Sequence, residues 1–234
     1  MLNEAIILAG GFGTRLRGVV NDIPKAMAPV KGKPFLFWLF KYLERQNIGK
    51  AIIASGYRHD AIESYFGMTS DNIGIEYSVE KEPLDTGGAV LMASSLVKGE
   101  TFFVLNGDTF YDVNLLEFEK FFKESEAVMS VALKPMSNCS RYGSVVLENN
   151  RITAFKEKGI NESGLINGGI YVVNKKWFVE SAPGSKFSME KDILEKRIKS
   201  DIITGFISDA PFIDIGVPED YLRAEEEMPY WLIG

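Results

Sequence analysis

At 234 residues, with 46% hydrophobic and 25% charged residues, the chain is composed like a soluble globular protein able to bury one sizeable core. Its net charge of −6 argues against a nucleic-acid partner, and no apolar stretch approaches the length that spans a bilayer. The single cysteine, Cys139, rules out an internal disulfide and fits a reducing cytoplasm.

Met1-Leu2-Asn3-Glu4 lacks a basic segment and runs straight into apolar residues, so no signal peptide is expected. Residues 4–9 are the first predicted strand, in which Ala5-Ile6-Ile7-Leu8-Ala9 ends at Gly10, Gly11 and Gly13. Glycines at a strand end allow a tight turn and let bare backbone N–H groups approach a ligand. Arg15, Arg17, Lys25, Lys31 and Lys33 follow in a stretch whose only acid is Asp22. Glycines beside concentrated cations suit a small polyanion, most naturally a nucleoside triphosphate. Two familiar phosphate loops fail here. The dinucleotide fingerprint needs a third glycine where Leu16 stands, and the P-loop needs Ser or Thr where Pro34 follows Gly32-Lys33.

Helical patterns are predicted near 34–47, 60–66, 87–96 and 115–124, between strands at 50–54, 74–79, 101–105 and 127–133. The aromatic run Phe35 to Phe40 is too short for a membrane and reads as a buried helix. Asp60 with Glu63, and Asn114 with Glu117, have the spacing of helix caps. This alternation predicts an α/β fold: a Rossmann-like, mostly parallel sheet flanked by helices, with ligands at the carboxyl ends of its strands. Gly10–Arg15 and Asn106–Thr109 both follow strands directly and are expected to converge. Further on, 144–148 and 151–156 flank Asn149-Asn150 as a hairpin, an apolar run covers 166–174, and helices return at 189–199 and 218–228. One domain, 1–234, is expected, with one half to about 135 and a small antiparallel lobe from 136.

Asn106-Gly107-Asp108-Thr109 closes one strand, and Asp214 sits within Phe212-Ile213-Asp214-Ile215-Gly216. A carboxylate in an apolar run is costly unless it faces a cleft or a cation, so these residues read either as turns or as holders of magnesium. His59 and Cys139, the only histidine and cysteine, have no sequence partners for catalysis and read as structural.

The run L-A-G-G-x-G-T-R-L at 8–16, followed by P-K-x-M-x-P-x-x-G-K-P at 24–34, resembles the signature of the sugar-1-phosphate nucleotidyltransferases. The resemblance extends from Ala5 to Tyr221. It implies that Leu8, Ala9, Gly10, Gly11, Gly13, Thr14, Arg15, Glu80, Thr86, Gly87 and Asn106 hold the nucleotide. It implies a sugar-phosphate site of Lys25, Tyr142, Gly143, Asn167 and Gly168, with Glu157 and Lys158 from Phe155-Lys156-Glu157-Lys158-Gly159. Arg15 and Lys25, with Asp108, are the implied catalytic residues, and Asp108 and Asp214 the implied Mg2+ ligands. A homodimer is the habit of such proteins, although no surface in this sequence reads as an interface.

Glu80-Lys81-Glu82-Pro83-Leu84-Asp85-Thr86-Gly87-Gly88 resembles the base-reading run of guanylyltransferases that act on mannose-type sugars. Guanine offers adjacent N1–H and 2-amino donors that suit a carboxylate, and Gly87 and Gly88 would admit the base to the helix start. Which of Glu80, Glu82 or Asp85 reads the base stays open. The short chain, together with Leu84 to Ala89 and Phe187 to Asp192, resembles members that use D-glycero-D-manno-heptose 1-phosphate. Mannose 1-phosphate, or uridylyl and thymidylyl transfer to another sugar, are the alternatives; a glycosyltransferase and a non-catalytic nucleotide sensor are readings of other classes. GTP and a sugar 1-phosphate are therefore the expected partners.

Overall fold

A computed structural model describes residues 2–11, 23–156 and 162–233. The first strand, β1 (Glu4–Leu8), leads to a 3-10 turn at Lys25–Met27, the short pair β2 (Pro29–Val30) and β3 (Lys33–Pro34), and α1 (Phe35–Arg45). Three further strands, β4 (Lys50–Ser55), β5 (Thr69–Ser70) and β6 (Ile73–Val79), enclose α2 (His59–Phe66) and lead to α3 (Asp85–Ser94). Then come β7 (Thr101–Asn106), β8 (Thr109–Tyr111), α4 (Leu115–Glu124) and β9 (Met129–Met136). The remainder comprises β10 (Ser144–Glu148), β11 (Arg151–Lys156), β12 (Gly164–Asn174), α5 (Lys175–Ser181), a π turn at Met189–Leu194, α6 (Glu195–Arg197), β13 (Ile203–Ile207), β14 (Phe212–Asp214) and α7 (Pro218–Ile233).

Ten strands share one sheet in the order β10-β11-β13-β9-β12-β7-β1-β4-β6-β5. Strands β7, β1, β4 and β6 are mutually parallel, the α/β arrangement expected from the alternation of strands and helices. Beyond them β12 runs antiparallel to both β7 and β9, so β10 to β13 continue this sheet with mixed pairing, while β14 pairs with β8 in a separate ribbon.

Side-chain alternation explains why the parallel strands read as unbroken apolar runs. Ala5 and Ile7 of β1 enter one buried cluster with Ala51, Ile53, Phe103 and Leu105, while Ile6 enters the opposite one with Ile52, Phe102 and Val104. Helix α1 covers the first face with Leu36, Leu39, Phe40 and Leu43, as expected for the aromatic run. Helix α3 and the π turn cover the second with Val90, Ala93, Met189 and Ile193.

The hairpin is as expected: Asn149 and Asn150 have φ of 48° and 63°, the left-handed pair of a type I′ turn. Asn114 caps α4, its Oδ1 accepting from the amides of Leu116 and Glu117. Asp60 does not cap α2, which begins one residue earlier at His59 behind a left-handed Arg58. Helix α1 starts at Phe35 because Pro34 still pairs with Pro29 in the β2–β3 ribbon. The 189–199 helix is a π turn followed by a single short α segment.

Candidate active site

Strand order changes direction at β1, since the chain places β4 on one side of it and β7 on the other. Open α/β sheets bind ligands at such a switch point, beyond the carboxyl ends of the strands. A cavity of about 360 Å³ lies there, lined by Leu8 and Ala9 after β1, Ala54 at the end of β4, and Asn106 and Gly107 after β7. Short hydrogen bonds tie these strand ends together: Ala9 N–H donates to the Ala54 carbonyl at 2.7 Å and Gly107 N–H to the Leu8 carbonyl at 2.9 Å. Gly10, Gly11, Glu80, Asp85, Thr86, Lys25 and Asp108 also line it. The expected convergence of the glycine loop and the Asn106–Thr109 segment is thus present for the residues described. Gly13, Thr14, Arg15 and Arg17 lie outside the described residues, as do Glu157 and Lys158.

Pairing of β8 with β14 sets Thr109 opposite Asp214, which brings Asp108 beside Asp214 from distant parts of the chain. Lys25 reaches both from its 3-10 turn, its Nζ donating to Asp108 Oδ2 at 2.6 Å and to Asp214 Oδ1 at 3.5 Å. The Asp214 carboxylate also accepts from Gly216 N–H at 2.8 Å. Burial pushes the Asp214 pKa upward, the Lys25 charge opposes this, and the Asp108 charge reinforces it. Two carboxylates this close, one of them desolvated, favour a further cation. Among the described residues no cluster of three or more potential ligands occurs, so a divalent ion would rely on these two acids and on phosphate oxygens. Of the described cations in the basic stretch, only Lys25 lines the cavity. Lys31 and Lys33 are exposed at the β2–β3 turn.

The three base-reading candidates separate. Glu80 lines the cavity, with Oε2 accepting from Leu84 N–H at 3.0 Å, whereas Glu82 is exposed and absent from the lining. A Cβ on Gly10 would stand 2.7 Å from Glu80 Oε1, so the strand-end glycine makes room for this carboxylate. Burial raises the Glu80 pKa, with the nearby Asp85 charge adding to the shift and the Leu84 amide opposing it. Asp85 also lines the cavity, at the left-handed φ of 59°. The room at Gly87 and Gly88 serves a different contact from the one expected. Their N–H groups donate to the Phe187 carbonyl at 2.9 and 3.1 Å, so they pack against segment 185–187 rather than opening toward a base.

A second cavity, of about 650 Å³, takes in Tyr142, Gly143 and Asn167 from the implied sugar site, with Ser188, Glu190 and Lys191 from the π turn and its cap. Burial, followed by the Asp214 charge, pushes the Tyr142 phenol up to about 12, so it remains a hydrogen-bond donor at neutral pH. Gly168 does not line this cavity; it is packed against the Tyr111 ring. Sequence reasoning gave Glu190 no role, because helical periodicity treats it as one more polar position. Ala54 was not singled out either, although it lies near the carboxyl end of β4, where ligands of parallel sheets sit. His59 contacts Ser55 and Glu63, at 3.1 and 3.0 Å, and Cys139 is buried, in keeping with structural roles.

The chain whose strand ends frame this cavity is matched over residues 4–229 by the nucleotidyl transferase family model. The chain belongs to that family and is a nucleotidyltransferase. It is 46% identical over 229 residues to the D-glycero-alpha-D-manno-heptose 1-phosphate guanylyltransferase of Aneurinibacillus thermoaerophilus, covering 98% of this chain and 100% of that protein. The enzyme of the same name from Campylobacter jejuni is 46% identical over 219 residues, 93% of this chain and 96% of that one. The crystal structure of HddC from Yersinia pseudotuberculosis complexed with GMP-PN superposes with a TM-score of 0.86 at 37% identity, covering 97% of this chain and 99% of that chain. No helix among the described residues is long and apolar enough to cross a membrane.

Proposed function

We propose that this enzyme transfers GMP from GTP to D-glycero-D-manno-heptose 1-phosphate, releasing pyrophosphate and forming a GDP-sugar. The near-full-length similarity to two guanylyltransferases of that name supports the choice of both substrates. The observation that carries the chemistry is the meeting of Lys25, Asp108 and Asp214 beside the cavity that also contains Glu80.

In this reading Glu80 accepts from guanine N1–H and the 2-amino group with the carboxylate oxygen that Leu84 leaves open. The Gly10-Gly11 backbone faces the phosphates. One anionic oxygen of the sugar 1-phosphate attacks the α-phosphorus of GTP, and the bond from that phosphorus to the bridging oxygen breaks. The nucleophile carries no proton, so no general base is needed. Catalysis then rests on positioning and charge neutralisation. Lys25 supplies fixed positive charge between the reacting phosphates, and Arg15, by resemblance, neutralises the leaving pyrophosphate. Asp108 and Asp214 would hold Mg2+, which when bound offsets phosphate charge and aligns the oxygens. The sugar would occupy the cavity lined by Tyr142 and Asn167.

The test is pyrophosphate release by purified protein with magnesium, each of the four nucleoside triphosphates and a panel of sugar 1-phosphates. Release with GTP and the manno-heptose phosphate is expected. Preference for UTP or dTTP would overturn the base assignment, and preference for another sugar phosphate the sugar assignment. Silence throughout would leave a nucleotide sensor as the better reading.

A further inference from the structure

The two cavities are joined by one side chain. Thr86, which lines the nucleotide cavity, donates its hydroxyl to Glu190 Oε2 at 2.8 Å, and the Ser188 hydroxyl donates to the same oxygen at 3.0 Å. The other oxygen, Oε1, accepts from the Tyr171 hydroxyl at 3.4 Å, and that hydroxyl accepts from Asn167 Nδ2 at 2.9 Å. Asn167 and Glu190 both line the larger cavity. Tyr171 is fully buried, and its burial, with the Glu190 charge adding to it, raises its pKa well above the usual phenol value. It therefore stays a donor to Glu190 throughout the working pH range.

The backbone around this link is densely hydrogen-bonded. Gly87 and Gly88 donate to Phe187, Phe187 N–H donates back to the Leu84 carbonyl at 3.1 Å, and Met189 N–H donates to the Thr86 hydroxyl at 2.9 Å. A Cβ on Gly87 would overlap the Phe187 ring, so the two segments touch without a gap. Glu190 itself sits in a π turn, a feature that recurs at functional sites because it redirects a side chain out of the α register. A displacement of Thr86 by a ligand would therefore be passed to Glu190, Tyr171 and Asn167.

We propose that Glu190 is a positioning residue that couples the two substrate sites, so that nucleotide in one cavity organises the other for the sugar 1-phosphate. This rests on the substrate assignment above. Coupling between sites is reciprocal, and ligand pairs of this kind shift each other's affinity by roughly 5- to 150-fold. Glu190 receives hydrogen bonds from Thr86 on the nucleotide side and from the Asn167–Tyr171 pair on the sugar side.

Calorimetric titration of the heptose 1-phosphate into the full chain, with and without a GTP analogue bearing a non-cleavable α,β-bridge, provides the test. The wild-type protein is expected to bind the sugar phosphate at least about 5-fold more tightly when the analogue is present. Glu190→Ala, and independently Thr86→Val, are expected to bring that ratio close to one, with circular dichroism and melting temperature reporting intact folds. A residue of merely structural importance would weaken both titrations in proportion and leave the ratio unchanged. An unchanged ratio in both variants, or a wild-type ratio of one with both ligands binding, overturns the coupling alone. Wild-type protein that binds neither ligand overturns the substrate assignment and the coupling with it.

Discussion

Lys25 and Asp108 are 83 positions apart in the chain, yet the lysine ammonium stands 2.6 Å from the Asp108 carboxylate while also reaching Asp214. The contact exists because the β8–β14 ribbon sets the two acids side by side, across from the 3-10 turn that carries the lysine. Asp108→Asn and Asp214→Asn each keep the side-chain volume and lose the negative charge. Each is expected to lower kcat by about 10²-fold or more, the scale for removing one preorganised electrostatic contact. Thermal unfolding should remain cooperative, since an amide oxygen at position 214 can still accept from Gly216 N–H. Near-normal kcat in either variant would take that residue out of the reacting centre.

Metal dependence should follow from the same pair. Because only two carboxylates converge among the described residues, Mg2+ is expected to bind weakly to the free protein and more strongly once GTP adds phosphate oxygens. EDTA should abolish turnover, and magnesium should restore it without a change in melting temperature. Calorimetry with and without nucleotide checks the order of affinity.

Glu80 carries a pH signature. Burial raises its folded pKa above the unfolded value, so protonation is favoured in the folded protein. The favourable contribution to stability is complete below the unfolded pKa and is lost as pH rises through the folded one. At neutral pH the ionised Glu80 is therefore held at some expense to the fold. Glu80→Gln is expected to raise the KM for GTP while leaving the protein at least as stable at pH 7, since the amide oxygen still accepts from Leu84. In the wild type the KM for GTP should climb as pH falls toward and below the raised pKa. That inflection should vanish in the variant.

Away from the site, Tyr42 is fully buried and donates its hydroxyl to the Val113 carbonyl at 2.7 Å, tying α1 to the segment before α4. Tyr42→Phe keeps the ring packing and leaves that carbonyl without its partner. A loss of about 1–3 kcal/mol in unfolding free energy is expected, with the kinetic constants unchanged. Urea unfolding and the pyrophosphate assay together check both halves of this expectation.

The parallel half of the fold was legible because its strands are buried on both faces, which produces runs such as Ala5 to Leu8 and Phe102 to Leu105 whose helices follow at regular spacing. The hairpin was legible for a local reason: only residues that tolerate positive φ, such as Asn149 and Asn150, fit its turn. What stayed hidden depends on long-range placement. Nothing local distinguishes Glu80 from Glu82; strand β6 ends so that only the first faces the cavity. The glycines at 87 and 88 could equally have made room for a base or for another backbone, and segment 185–187 takes the space. Glu190 was unreadable for a similar reason, since the π turn that aims it is not encoded in a simple hydrophobic period.

Stereochemistry at the transferred phosphorus tests most directly the idea that the substrates' own oxygens form and break the bonds. A single diastereomer of GTP carrying sulfur on the α-phosphorus, incubated with the heptose 1-phosphate, yields a GDP-sugar whose configuration can be read by phosphorus NMR. Direct displacement beside Lys25 requires inversion. Retention would reveal an intermediate covalently bound to the protein and would contradict the account.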